Sequence, residues 1–118
     1  TQNFTSYEDK YEFSKSHCDP NASTEKPFID YLYQNGLNLP DGAQRYLEDY
    51  YSQPDFYYQP NVLIFCDGSV HDEAKVKEQD KRIRENLRNA GYDVIVWHYT
   101  ESLEQLTERR RDIFFKVK

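Results

Sequence analysis

Val62-Leu63-Ile64-Phe65-Cys66 is an uninterrupted apolar run, with Gln59-Pro60-Asn61 before it and Asp67-Gly68 after it. A short run of β-branched and aromatic residues between turn signals predicts a strand covered on both faces. A second buried strand is predicted at Asp93-Val94-Ile95-Val96-Trp97-His98-Tyr99. Between the two, residues 73–90 place Val76, Ile83, Leu87 and Ala90 at helical spacing, and Asn89-Ala90-Gly91 supplies the stop. Buried strand, helix, buried strand is a βαβ unit, which requires parallel pairing and a right-handed crossover.

The rest of the chain must cover that unit. At 118 residues it is long enough for one core and too short for two ordinary domains. Ser23 or Thr24 can cap a helix, Glu25 suits its positive end, and Pro27 is tolerated only in a first turn. Phe28, Tyr31 and Leu32 give that helix an apolar stripe, and Asn35-Gly36 ends it. Pro40-Asp41-Gly42 reads as a turn, residues 44–52 fit a strand or a helical turn equally, and Asp55-Phe56-Tyr57-Tyr58 reads as a strand. A last helix is expected from a Thr100 cap to about Phe114. The predicted class is α/β, a mixed central sheet flanked by helices in the order α-β-β-α-β-α. Residues 23–118 form the domain, and residues 1–22 an irregular N-terminal arm or one carrying a short helix.

Charge is unevenly placed. Residues 1–60 hold ten acids against four bases, whereas residues 61–118 hold eleven of each, so the net −6 lies in the first half. The bases of the second half collect at Lys75, Lys77, Lys81, Arg82, Arg84 and Arg88, and again at Arg109-Arg110-Arg111. The first block is a candidate nucleic-acid contact, local on an acidic body; a freestanding nucleic-acid binder is usually basic overall. The arginine triplet reads as a solvated face. Cys18 and Cys66 have no zinc-ligand spacing and read as free thiols in a reducing compartment. No apolar run reaches membrane-spanning length and no secretory leader pattern opens the sequence, so a cytoplasmic protein is expected. The absence of an initiating methionine suggests a piece of a larger polypeptide.

Four polar residues fall where the predicted sheet would gather them. Asp55 opens one strand and Asp67 closes its neighbour, His71 lies in the loop beyond, and Asp80 sits near the edge of the buried stripe of the next helix. Strand ends are where open α/β sheets place ligands. Two neighbouring carboxylates repel, and a hard divalent cation relieves them. Mg²⁺, or Mn²⁺ in its place, needs only one or two protein carboxylates and keeps its waters. Such an ion polarises a phosphoryl oxygen while a nearby histidine takes a proton from water, the parts that phosphodiester hydrolysis needs. Each residue alone has a plainer reading: a turn aspartate, a surface histidine, a solvated helix acid.

Gln53-Pro54-Asp55-Phe56-Tyr57-Tyr58, followed by Val62 to Cys66 and Asp67-Gly68-Ser69-Val70-His71, resembles the core of the very-short-patch-repair (Vsr) endonuclease family, within the PD-(D/E)XK restriction-endonuclease-like superfamily. The resemblance continues through Glu78-Gln79-Asp80-Lys81-Arg82 and Leu87 to Gly91-Tyr92-Asp93-Val94-Ile95-Val96-Trp97, and at the front through Glu25-Lys26 and Gln34-Asn35-Gly36-Leu37. It implies a three-layer nuclease fold and a metal-dependent DNA endonuclease, or a DNA-binding domain derived from one. In that family's terms Asp55 is the metal-binding aspartate, Cys66 offers its backbone carbonyl to the metal, His71 activates water, and Asp80 and Glu25 are supporting acids.

The departures are specific. Ser69-Val70 stand where the repair enzymes carry an aromatic wedge, Asp67 stands where they carry a histidine, and their zinc cluster is missing, so neither mismatch specificity nor zinc is implied. Phe65 and Asp67 replace the Glu and Lys of the broader nuclease pattern. The stretch Phe65-Cys66-Asp67-Gly68-Ser69-Val70-His71-Asp72 also resembles the C-terminal segment of large bacterial DEAD/DEAH-box helicases, which implies a helicase-type polypeptide as the parent. Loss of catalysis, leaving a module that holds nucleic acid or a partner domain through its tyrosine-rich segment 46–58, is the alternative.

Overall fold

The computed structural model describes residues 6–18, 24–68 and 73–115. His71 and the tip of its loop lie outside them, as does the predicted Ser23 cap. The chain forms α1 (Tyr7–Ser16), α2 (Glu25–Gln34), β1 (Gly42–Ala43), β2 (Phe56–Tyr58), β3 (Val62–Asp67), α3 (Ala74–Asn89), β4 (Asp93–His98), α4 (Leu103–Arg109) and α5 (Arg111–Phe114). No helix among the described residues is long and apolar enough to cross a membrane.

The βαβ unit expected from the two apolar runs is present. The sheet order is β1-β2-β3-β4, antiparallel for the first two pairings and parallel between β3 and β4, where Val62 faces Asp93 and Asp67 faces His98. All six residues of β3 are buried. Alternation along the strand sends Val62, Ile64 and Cys66 into one core with Phe28, Ile29, Leu32, Trp97, Leu106 and Phe114. Leu63 and Phe65 enter a second core with Leu87 and Val94. The sheet is therefore a middle layer, with α2, α4 and α5 on one side and α3 on the other.

Several local expectations shift. The arm carries a ten-residue helix, α1, started by the Ser6 hydroxyl accepting from the Asp9 amide. Tyr7 and Tyr11 of α1 stack on Tyr33 of α2, with ring centroids 5.6 and 3.9 Å apart. The Tyr11 hydroxyl donates to Asp30, and that bond, more than burial, pushes its pKa up to about 12. Residues 44–52 split the difference between strand and helix: a 3₁₀ turn, Glu48–Tyr50, is enclosed by a single antiparallel bridge between Leu47 and Ser52. Strand β1 was not anticipated, since two residues carry no period.

The expected last helix starts at Ser102, whose hydroxyl accepts from the Gln105 amide, rather than at Thr100, which bonds His98 instead. It breaks at Arg110, where φ is −122° and ψ is 54°. The Arg110 guanidinium is held by both oxygens of Asp93 at the start of β4, and by Asp112. With Arg109 paired to Glu101 and Arg111 to Glu108, each member of the arginine triplet faces an acid.

Candidate functional site

The site builds from the end of the β2–β3 ladder. Asp55 precedes β2, and its amide donates to the Ile64 carbonyl at 2.9 Å. Its carboxylate accepts from the Cys66 amide at 2.6 Å, taking the place of the carbonyl that one more residue of strand would have supplied. Asp55 is thereby tied to the last residues of β3, at the same end of the sheet as Asp67. The purely structural part of its role is to close the ladder; the chemical part depends on what else stands there.

Glu25 stands there. It opens α2 and is 4% exposed, and its carboxylate accepts from Gln44 Nε2 at 2.7 Å. Thr24, one residue earlier, donates its hydroxyl to the Cys66 carbonyl at 3.1 Å instead of capping its own helix. The negative charges of Asp55 and Glu25 both reach the Cys66 thiol, whose pKa burial already pushes well up. They also reach the Cys18 thiol, pushed up to about 11 by burial first, then by Glu25, Asp30 and Asp55. Neither thiol is primed as a nucleophile, because the thiolate is the reactive form.

Asp67 has a different environment. Its two oxygens accept from the two terminal nitrogens of Arg84, each at 2.6 Å, in an ion pair buried between β3 and α3. The guanidinium also lies over the Phe65 ring, 4.5 Å from its centroid. Arg84, expected in the basic row, is 9% exposed and belongs to the buried face of α3 with Leu87. Asp67, expected as a metal ligand, is its counter-charge. Ala90, expected in the buried stripe, is exposed just past the end of α3.

Lys75, Lys77, Lys81, Arg82 and Arg88 are exposed, as a nucleic-acid contact requires. Arg88 also donates to the Val94 carbonyl at 3.3 Å. Asp80 is half-buried on α3, the face of the sheet that holds the Asp67–Arg84 pair. Sequence reasoning assigned no role to Gln44 or His98, and gave Thr24 only that of a candidate cap. The pairing register sets His98 directly across from Asp67 at the strand ends. Gln44 carries a signal only in the structure, where a left-handed backbone, φ 56°, precedes its reach to Glu25.

Among the described residues, no three side chains of His, Cys, Asp or Glu form a metal-holding group. At this end of the sheet Asp55 accepts from the Cys66 amide, and Thr24, next to Glu25, donates to the Cys66 carbonyl. Carboxylate and carbonyl oxygens are the ligand type that a hard cation such as Mg²⁺ takes. Comparison with protein-family models, with curated proteins and with solved structures finds no match.

Proposed function

We propose that this is a restriction-endonuclease-like domain of Vsr type, acting as a metal-dependent DNA endonuclease within a larger helicase-type polypeptide. What supports the reading is that Asp55 bonds the Cys66 amide while Thr24, the neighbour of Glu25, bonds the Cys66 carbonyl at the same end of the sheet. Asp55, Glu25 and Cys66 come from three separate segments, and the family resemblance gives each of them a role. The mixed sheet between two helical layers is in keeping with it, as is the exposed basic row on α3.

Asp55 and Glu25 would hold Mg²⁺ or Mn²⁺ together with the Cys66 carbonyl. When bound, the ion supplies Lewis-acid polarisation of a phosphoryl oxygen and a water of lowered pKa. The chain's own part is placement. The Cys66 amide fixes the Asp55 carboxylate, Gln44 fixes that of Glu25, and Thr24 ties the start of α2 to the end of β3. His71 is the proposed proton acceptor and Asp80 its supporting acid. Lys75, Lys77, Lys81 and Arg82 would meet backbone phosphates.

The test is nicking of supercoiled plasmid by the purified protein with Mg²⁺ or Mn²⁺. Asp55→Asn keeps an oxygen acceptor for the Cys66 amide and removes the charge, so it should cut the rate by at least about 100-fold while leaving the thermal midpoint nearly unchanged. Wild-type protein that nicks with neither ion rules out the enzymatic reading.

A second reading, a module that keeps the fold without catalysis, is favoured by the exposed tyrosines. Tyr51 is 81% exposed and Tyr46 53%, and tyrosine is enriched at interfaces. Mn²⁺ binding that is tight and lost in Asp55→Asn would argue against it.

A further inference from the structure

On the α3 side of the sheet the chain holds a short loop whose ends are bridged. Leu47 and Ser52 exchange backbone hydrogen bonds, 2.7 Å from the Leu47 amide and 3.3 Å from the Ser52 amide, around the 3₁₀ turn Glu48–Tyr50. Leu47 and Tyr50 anchor it. Both pack on the core of Leu63, Phe65, Leu87 and Val94, as does Ile83 of α3, and the Tyr50 ring meets Tyr92 edge-on with centroids 6.0 Å apart. The turn therefore lies against α3.

Two more tyrosines flank these anchors and take no part in the packing. Tyr51 is 81% exposed and Tyr46 53%. Among the described residues neither ring is stacked and neither hydroxyl is bonded. Tyr51 also has a left-handed backbone, φ 51° and ψ 44°, which a bulky residue adopts at a cost and Gly or Asn adopts readily. Neither packing nor backbone preference accounts for a tyrosine there, whereas a flat ring held out on an anchored loop is what a base stacks on. The neighbouring helix supplies the other half. α3 exposes Lys75, Lys77, Lys81, Arg82 and Arg88 against two exposed acids, Glu78 and Glu85. Exposed rings beside a basic row are the two parts that grip single-stranded nucleic acid, stacking for its bases and cations for its phosphates. The form of the strand follows from the turn's own charge. Glu48 and Asp49 are exposed there and repel the phosphates that a duplex carries on its outside. A single strand can keep its phosphates on α3 and turn its bases onto the tyrosines.

We propose that Tyr51 and Tyr46 form a stacking platform for single-stranded DNA whose phosphates run along α3. This deepens the proposed function: it rests on the reading of α3 as a nucleic-acid contact and is independent of the metal centre. Fluorescence anisotropy in EDTA, which prevents cleavage, compares a labelled oligothymidylate of about 20 nucleotides with a duplex of the same length. The single strand should bind at least about fivefold more tightly than the duplex. Tyr51→Ala should weaken the single strand at least about fivefold and leave the duplex unchanged, while Tyr51→Phe, which keeps the ring, should bind as wild type. Lys81→Gln with Arg82→Gln should weaken both forms. Tyr51 is exposed, so its variants should keep the native circular dichroism spectrum. Duplex binding that depends on Lys81 and Arg82, with no preference for the single strand or no loss in Tyr51→Ala, overturns the platform and leaves the reading of α3 standing. Binding of neither form at about 100 μM protein overturns both. Self-association that is lost in Tyr51→Ala, without single-strand binding, gives the tyrosines to a protein contact and overturns the proposal as well.

Discussion

Asp55 and Asp67 lie at the same end of one sheet, on neighbouring strands, and are used in opposite ways. Asp67 is 6% exposed and locked to Arg84 between β3 and α3. Asp55 is half-buried at the tip of the ladder and bonded to a backbone amide, and its charge acts with that of Glu25 on the Cys66 thiol. The difference comes from alternation. Residue 67 follows 63 and 65 onto the α3 face, where helical phase has put Arg84 one turn before Leu87. Asp55, ahead of β2, ends in the plane of the sheet. On the α3 flank charge is paired inside the protein; on the α2 flank the negative charges of Glu25 and Asp55 both act on the Cys66 thiol.

The largest effect should come from breaking the α3 flank. Arg84→Ala leaves the Asp67 carboxylate buried without its counter-charge and should cost roughly 3–5 kcal/mol, read as a lower midpoint in urea denaturation. Replacing both partners, Asp67→Leu with Arg84→Met, should return stability to within about 2 kcal/mol of wild type, because well-packed apolar groups of similar volume substitute for a buried ion pair at little cost. The double variant also sharpens the comparison. If Asp67 does no more than balance Arg84, plasmid nicking survives in it; if Asp67 holds the cation, nicking is lost while the fold remains.

Much of this contrast could be read before any coordinates. The apolar runs at 62–66 and 93–98 are strands in parallel register, and the 3.6-residue period of 74–89 is the helix between them, because both signals are set by burial that repeats over several residues. Glu25 and Asp55 come from separate segments, and the charges of both act on the Cys66 thiol. Arg84 was misjudged for a physical reason. By residue type it joined a basic block, yet its position, three before Leu87 and one after Ile83, is on the buried face; phase outweighed type. Strand β1 and the contact of Gln44 with Glu25 left no trace in the sequence, since two residues have no period and a single side-chain bond has no spacing rule.

A smaller effect is expected on the α2 flank from Thr24→Val. The substitution keeps the shape and removes the hydroxyl that serves the Cys66 carbonyl, so it should cost about 1 kcal/mol in urea denaturation. If the Cys66 carbonyl and Glu25 act together at a cation, the same change should also weaken Mn²⁺ binding by loosening the start of α2 against β3. A merely structural role for Thr24 would lower stability and leave the metal affinity unchanged.

The smallest effect belongs to Cys18, and it reports the sign of the charge on that flank. Burial and the negative charges of Glu25, Asp30 and Asp55 hold its thiol at about 11, against an ordinary value of 9.0. The folded state therefore retains a proton that the unfolded chain gives up, so the contribution to stability is complete below pH 9 and is lost as pH rises through 11. Over that window the urea midpoint should fall more steeply in wild type than in Cys18→Ser, which has no thiol to titrate. Equal slopes would mean that the carboxylates do not press on the thiol, and the crowding of negative charge inferred for the Asp55 end would have to be abandoned. Millimolar Mg²⁺, if it binds between Asp55 and Glu25, should lower the Cys18 pKa by screening them, which iodoacetamide labelling rates between pH 8 and 10 would register as faster modification.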